Sequence, residues 1–109
     1  MTEDNARARQ RFAMAYDREL MAINKKVLDP LFPHLTLGHI RPILATVARV
    51  RGRYLREAFR LTQGSEDGLP TPDEVKKLRE LREAYEEAMA VAEALDHAIE
   101  RGYITVTDL

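Results

Sequence analysis

Arg49, Arg53, Arg56 and Arg60 follow one another at spacings of 4, 3 and 4. On a helix that spacing makes one line, and a line of guanidinium forks suits phosphate or carboxylate in two-pronged geometry. Arg7, Arg11, Arg18 and Lys25 form a second basic line by the same rule. Together they predict an anion- or partner-binding surface. Arg51 differs, because it falls between Val47 and Leu55 in the middle of an apolar helical face. A charge placed there needs a carboxylate, such as Glu19 or Asp96, or a route for its head to solvent, and a buried ion pair is the expectation.

Other chemistry is sparse. His34, His39 and His97 lack the close His/Glu spacing of a helical metal site. Ser65, the single serine, lies in a polar turn without a nucleophile motif, and no glycine-rich phosphate loop occurs. The absence of cysteine removes disulfides, thiolate metal sites and cysteine nucleophiles. No catalytic, cofactor-binding or metal-ligating residue is assigned, and a protein that is not an enzyme is expected.

Charge points instead to partners. Residues 1–62 carry 12 Lys/Arg against 6 Asp/Glu, whereas residues 63–109 carry 5 against 12. The formal net charge of −1 thus hides an internal dipole that favours association with another acidic surface or with a second copy. Nucleic acid is the second choice, because the whole chain is not basic, aromatics are 6%, and no helix-turn-helix, zinc-finger or stacking motif occurs. The charged start MTEDNARARQRF lacks the apolar run of a secretory signal. No stretch approaches the roughly 20 apolar residues that cross a bilayer, so no membrane role and a cytoplasmic location are expected.

The elements that must carry these residues are helices. The 109 residues, 45% hydrophobic and 32% charged, suggest a single domain of long amphipathic helices. The first runs from about Asp4 to Leu28 and stops at Asp29-Pro30. Phe12, Tyr16, Leu20, Ile23 and Val27 form its core-facing stripe. Met14, Met21 and Leu28 recur every seven residues on another side, and predict an interface through which two copies pair.

The second helix covers about residues 37–62, with Pro42 either near its true first turn or at a kink. Its apolar set is Ile40, Ile43, Leu44, Val47, Tyr54, Leu55, Ala58 and Leu61, almost opposite the arginine line. QGSEDGLPT is a turn by composition. The third helix, about 72–101, opens with the capping box Thr71-Pro72-Asp73-Glu74 and stops at Arg101-Gly102. Leu78, Leu81, Tyr85, Ala88, Ala92, Leu95 and Ile99 make a heptad seam along it.

Short connectors between long helices give an all-α fold: an antiparallel up-down-up three-helix bundle, or a long helical hairpin, with a short extended tail over 103–109. The β-branched tail must either pack Ile104 and Val106 on the helices or pair with another chain. Its ending Thr107-Asp108-Leu109 also has the form that strand-addition domains bind, a short match with no weight of its own. The expectation is a helical protein-interaction module, a homodimer or small adaptor, with polyanion binding through the arginine lines as the alternative.

Overall fold

A computed structural model describes residues 2–64 and 66–108, the side chain of Asp108 excepted. Ser65 and Leu109, singled out above, lie outside the described residues. The fold is all-α and 83% helical, with one small strand pair. Helices α1 (Thr2–Leu28), α2 (Leu37–Gly64) and α3 (Pro72–Glu100) match the expected spans to within two residues at each end. The chain divides into two units, Leu37–Leu95 and Met1–Thr36 with Asp96–Leu109.

The Leu37–Leu95 unit is an antiparallel helical hairpin of α2 on α3. Tyr54 stacks on Tyr85 with ring centroids 6.2 Å apart, and Glu57 reaches Lys77 one stretch further along. Val47, Glu57 and Leu61 are the buried residues of α2. The α3 seam residues Leu78, Leu81, Tyr85, Ala88, Ala92 and Leu95 are half-buried, so the heptad pattern marks the packed side.

Pro42 sits inside α2, which runs through it from Leu37. Its ring removes the hydrogen bond to the carbonyl four residues earlier, a loss confined to the second turn. The Thr46 hydroxyl caps the Pro42 carbonyl at 2.8 Å. Between the helices, the Glu74 N–H donates to Thr71 Oγ1 (3.2 Å) and the Thr71 N–H donates to Glu74 Oε1 (2.9 Å), both halves of the capping box. Thr71→Ala is expected to cost about 1 kcal/mol in urea unfolding, and Thr71→Ser much less, because the serine hydroxyl keeps the acceptor.

The other unit holds α1, the 3₁₀ turn Asp29–Leu31 and the C-terminal tail. Gly102, with φ 77°, ends α3 in the left-handed conformation, and its N–H donates to the Ile99 carbonyl at 3.0 Å. The tail then settles the alternative left open above. Tyr103 and Ile104 are buried, and Val106–Asp108 forms a strand (β2) parallel to Leu35–Thr36 (β1). Val106 itself stays 39% exposed, so only Ile104 of the expected pair packs. Thr105 N–H donates to Asp29 Oδ1 (3.2 Å) and the Thr107 hydroxyl to the Leu35 carbonyl (3.2 Å), closing a clasp over the connector. His34, just before β1, takes φ 57°, which turns the chain out of Pro33 into the strand.

One expectation fails on α1. Its expected core stripe is open instead: Phe12 is 70% exposed, Tyr16 60%, Ile23 58%, Val27 57% and Leu20 39%. No described residue of α1 is buried. The physical reason lies in the clasp. Arg101 at the end of α3 binds Asp17 Oδ1 at 2.7 Å, which turns the Asp17 side of α1 toward the tail. The Phe12–Val27 stripe lies roughly 100° round the helix from Asp17, at about 100° per residue, and is left uncovered.

Candidate interaction surfaces

Three surfaces carry side chains that a partner could use. The first is the α1 stripe just described, an aromatic and branched apolar line of a 27-residue helix. The Met14/Met21/Leu28 line, expected to be the interface, lies on another side of α1. Met14 and Met21 are exposed and Leu28 is half-buried. Between the Asp17 side and the basic line, these three border the part of the helix that faces the tail, so they offer less free apolar surface than the stripe does.

The second kind of surface is basic, and each of two helices carries its own line. Arg49, Arg53 and Arg56 are exposed on α2, and Arg7, Arg11, Arg18 and Lys25 are exposed on α1. Arg60, assigned with them from the sequence, is already engaged. Its Nη2 donates to Glu57 Oε1 at 2.6 Å and its Nε to Glu57 Oε2 at 3.2 Å, a two-pronged pair. Lys77 Nζ approaches Glu57 Oε1 at 3.5 Å from α3.

Glu57 is the buried charge of the hairpin, and sequence reasoning missed it. The signal was present in the Glu57/Arg60 spacing of three, which pairs side chains on a helix surface. The Arg60 hydrogen bonds hold the Glu57 carboxyl below the usual carboxylate range against the opposing pull of burial, and Lys77 adds to the effect. The same contact holds the Arg60 proton more firmly than usual.

A carboxylate whose pKa is depressed on folding stabilises the folded state above its unfolded value, and that contribution fades as pH falls through the folded value. Hairpin stability is therefore expected to drop in acid below the ordinary glutamate range. Urea unfolding of wild type and Glu57→Gln at neutral and acidic pH checks this, since the difference between them must shrink on acidification.

Arg51 corrects a further expectation. It forms no buried ion pair: the residue is exposed, its Nε donates to Tyr85 Oη at 3.3 Å and its guanidinium lies 5.4 Å from the Tyr85 ring centroid. A phenol takes the place of the expected carboxylate, because the α2 flank around Arg51 is itself open to solvent and the head need not be neutralised. That flank is the third surface. Leu44 is 53% exposed, Leu55 48% and Phe59 65%, all on the Arg51 side of α2. Across from it on α3 lie Val75, Leu78, Arg79 and Arg82, which with Tyr54 line a shallow groove of about 160 Å³. A separate groove of about 240 Å³, lined by Pro42, Ile43, Thr46, Ala88 and Val91, runs along the opposite flank of the hairpin.

Among the described residues no three His, Asp or Glu side chains converge as a metal site would require. No described helix is long and apolar enough to cross a membrane. No family model matches the chain, and neither the curated proteins nor the solved structures show a significant similarity to it.

Proposed function

We propose that the protein is a non-enzymatic helical interaction module of the cytoplasm that assembles with a second copy of itself through α1. The observation that carries this reading is the uncovered Phe12–Val27 stripe on a helix without a buried residue. Apolar lines of this length on a protein surface mark contact with another molecule. A second copy fits best because each copy brings both the apolar stripe and opposite charges: α2 holds six Arg and one Glu, while α3 holds nine Asp/Glu and four Lys/Arg. Sedimentation equilibrium at low and high salt tests it. A dimer that persists at high salt supports apolar pairing, and a 12.5 kDa mass in both conditions overturns the reading.

A second reading, polyanion binding, draws on the exposed Arg49, Arg53 and Arg56. It expects heparin or single-stranded DNA to bind at about 50 mM salt, with affinity falling steeply as salt rises. Changing these three arginines to Ala is then expected to abolish binding by fluorescence anisotropy, whereas Arg60→Ala, which frees a guanidinium already spent on Glu57, is expected to matter least.

A further inference from the structure

The self-association reading names α1 as the contact but leaves its direction and register open, and the charges beside the stripe supply both. We infer that the α1 helices of two copies pack antiparallel on each other, with Leu20 level with Ile23 of the second copy and Glu19 of each chain beside Lys26 of the other. This inference rests on the dimer reading and adds the geometry of the contact and its polar key.

The layout of α1 comes first. At about 100° per residue, Glu19 and Lys26 lie roughly 60° and 80° from the centre of the Phe12–Val27 stripe, both on the side away from Asp17. They stand seven residues apart, so one heptad position recurs along that edge with opposite charges. Both are exposed, and neither forms an ion pair among the described residues. The other edge is already occupied within the chain, since Arg101 holds Asp17, and Asn24 is half-buried with its side-chain amide donating to the Leu20 carbonyl.

Antiparallel pairing brings the same edge of each helix together. With Leu20 level with Ile23 of the second copy, Tyr16 comes level with its Val27. Glu19 then lies two residues, about 3 Å along the axis, from the other chain's Lys26, within reach of both side chains. The two-fold axis crosses α1, so the same ion pair forms twice and the contact closes through this helix alone. The overlap covers residues 15–28. Arg9 falls beyond it, Arg18 and Lys25 lie on the far side of the helix, and the charge nearest to Glu19 across the contact is Lys26. Phe12 comes level with Leu31, exposed just past the end of the second copy's helix.

Other arrangements do worse. Sliding one helix by a heptad toward the N-termini sets Glu19 beside Glu19 and brings Arg9 level with Val27. A parallel pair sets Glu19 against Asn24 and leaves Lys26 without a carboxylate. The surface suffices for a dimer. Taking about 150–250 Å² for a large side chain, the exposed parts of the five stripe residues offer roughly 500 Å² per copy and about 1,000 Å² over both, the lower limit for a specific interface.

The test is charge exchange, read by sedimentation at low salt. Glu19→Lys alone sets lysines together at both ends of the contact, and Lys26→Glu alone sets glutamates together. Each is expected to dissociate about tenfold more readily than wild type, or more, because two attractions become two repulsions. The chain with both changes restores opposite charges and is expected to dimerise like wild type. An equimolar mixture of the two single variants is expected to give a one-to-one heterodimer in native mass spectrometry. Positions 19 and 26 are about 10 Å apart along one helix, so this rescue cannot arise within a chain. Lys25→Glu makes the same change of charge on the far side and is expected to leave the dimer as it is.

If wild type dimerises and both single variants dimerise equally well, or the doubly changed chain fails to recover, this register is wrong while the dimer reading stands. A loss with Lys25→Glu as large as with Lys26→Glu assigns the effect to net charge and overturns the Glu19–Lys26 contact too. A monomeric wild type overturns both readings.

Discussion

Phe12→Glu combined with Ile23→Glu is expected to leave a folded chain with a single-chain mass of 12.5 kDa in sedimentation. The two effects that must be separated are dissociation and unfolding, and exposure separates them. Both side chains are open in the protomer, at 70% and 58%, and substitutions at such positions usually change stability by less than about 0.5 kcal/mol. Each large apolar side chain covered by a partner contributes roughly 1.5–3 kcal/mol. In a two-fold dimer both copies lose both side chains, so about 6 kcal/mol or more leaves the interface, a weakening of roughly ten-thousand-fold or greater. Circular dichroism must keep its helical signal while the mass is that of one chain. Arg7→Glu, on the opposite side of α1, is the control and is expected to leave the mass unchanged.

The second large effect belongs to the clasp. Tyr103→Ala is expected to cost about 3–5 kcal/mol, the range for removing a buried aromatic side chain. Tyr103 is buried and meets the His97 ring edge-on at 6.1 Å, and its hydroxyl accepts from Arg101 Nε at 3.4 Å. That hydroxyl first, and Asp17 second, raise the Arg101 pKa, so one residue serves both packing and the ion pair that orients α1. Removing it should release Arg101 from its place opposite Asp17. Hydrogen exchange provides the local readout: the amide of Thr105, which donates to Asp29, is expected to lose protection, while the α2 and α3 amides of the hairpin keep theirs. Val106→Ala should do little, since that side chain is partly exposed.

Much of this architecture was legible in the residues. The Asp29-Pro30 stop, the Thr71/Glu74 capping box and the Arg101-Gly102 stop each act within a few residues, so the chain announces them locally. The α3 seam was legible too, because a helix joined by a short turn to its neighbour must turn its apolar side to it.

The α1 stripe was not. Spacing shows that Phe12, Tyr16, Leu20, Ile23 and Val27 share a side, yet it carries no information on which body covers that side. Here a contact 84 positions away, Arg101 to Asp17, decides the orientation. Arg51 departs from its expected ion pair for a related reason. Its position inside the α2 apolar set was right, but that set is wider than the surface α3 covers, and Leu44 and Leu55 on the same flank stay open with it. Glu57 is not legible as a buried charge because a lone acid near an arginine line looks like part of a solvated face until Lys77 approaches from the other helix.

The parallel strand pair has a consequence for the order of events in folding. Leu35 and Thr107, which it brings together, are 72 positions apart, whereas the turn of the hairpin joins its two helices across a few residues. Closing a loop of that length costs about 2 kcal/mol more than closing one an eighth as long, and the pair itself is only two to three residues on each strand. The hairpin is therefore expected to form first and shorten the path between Leu35 and Val106, after which closing the tail costs less. In reverse, the clasp is expected to open before the hairpin when the chain is warmed, a sequence that hydrogen exchange on heating would read. For a stretch of time on either side of the native state, α1 is thus tethered but unaimed, and only a finished tail fixes which of its sides is left open.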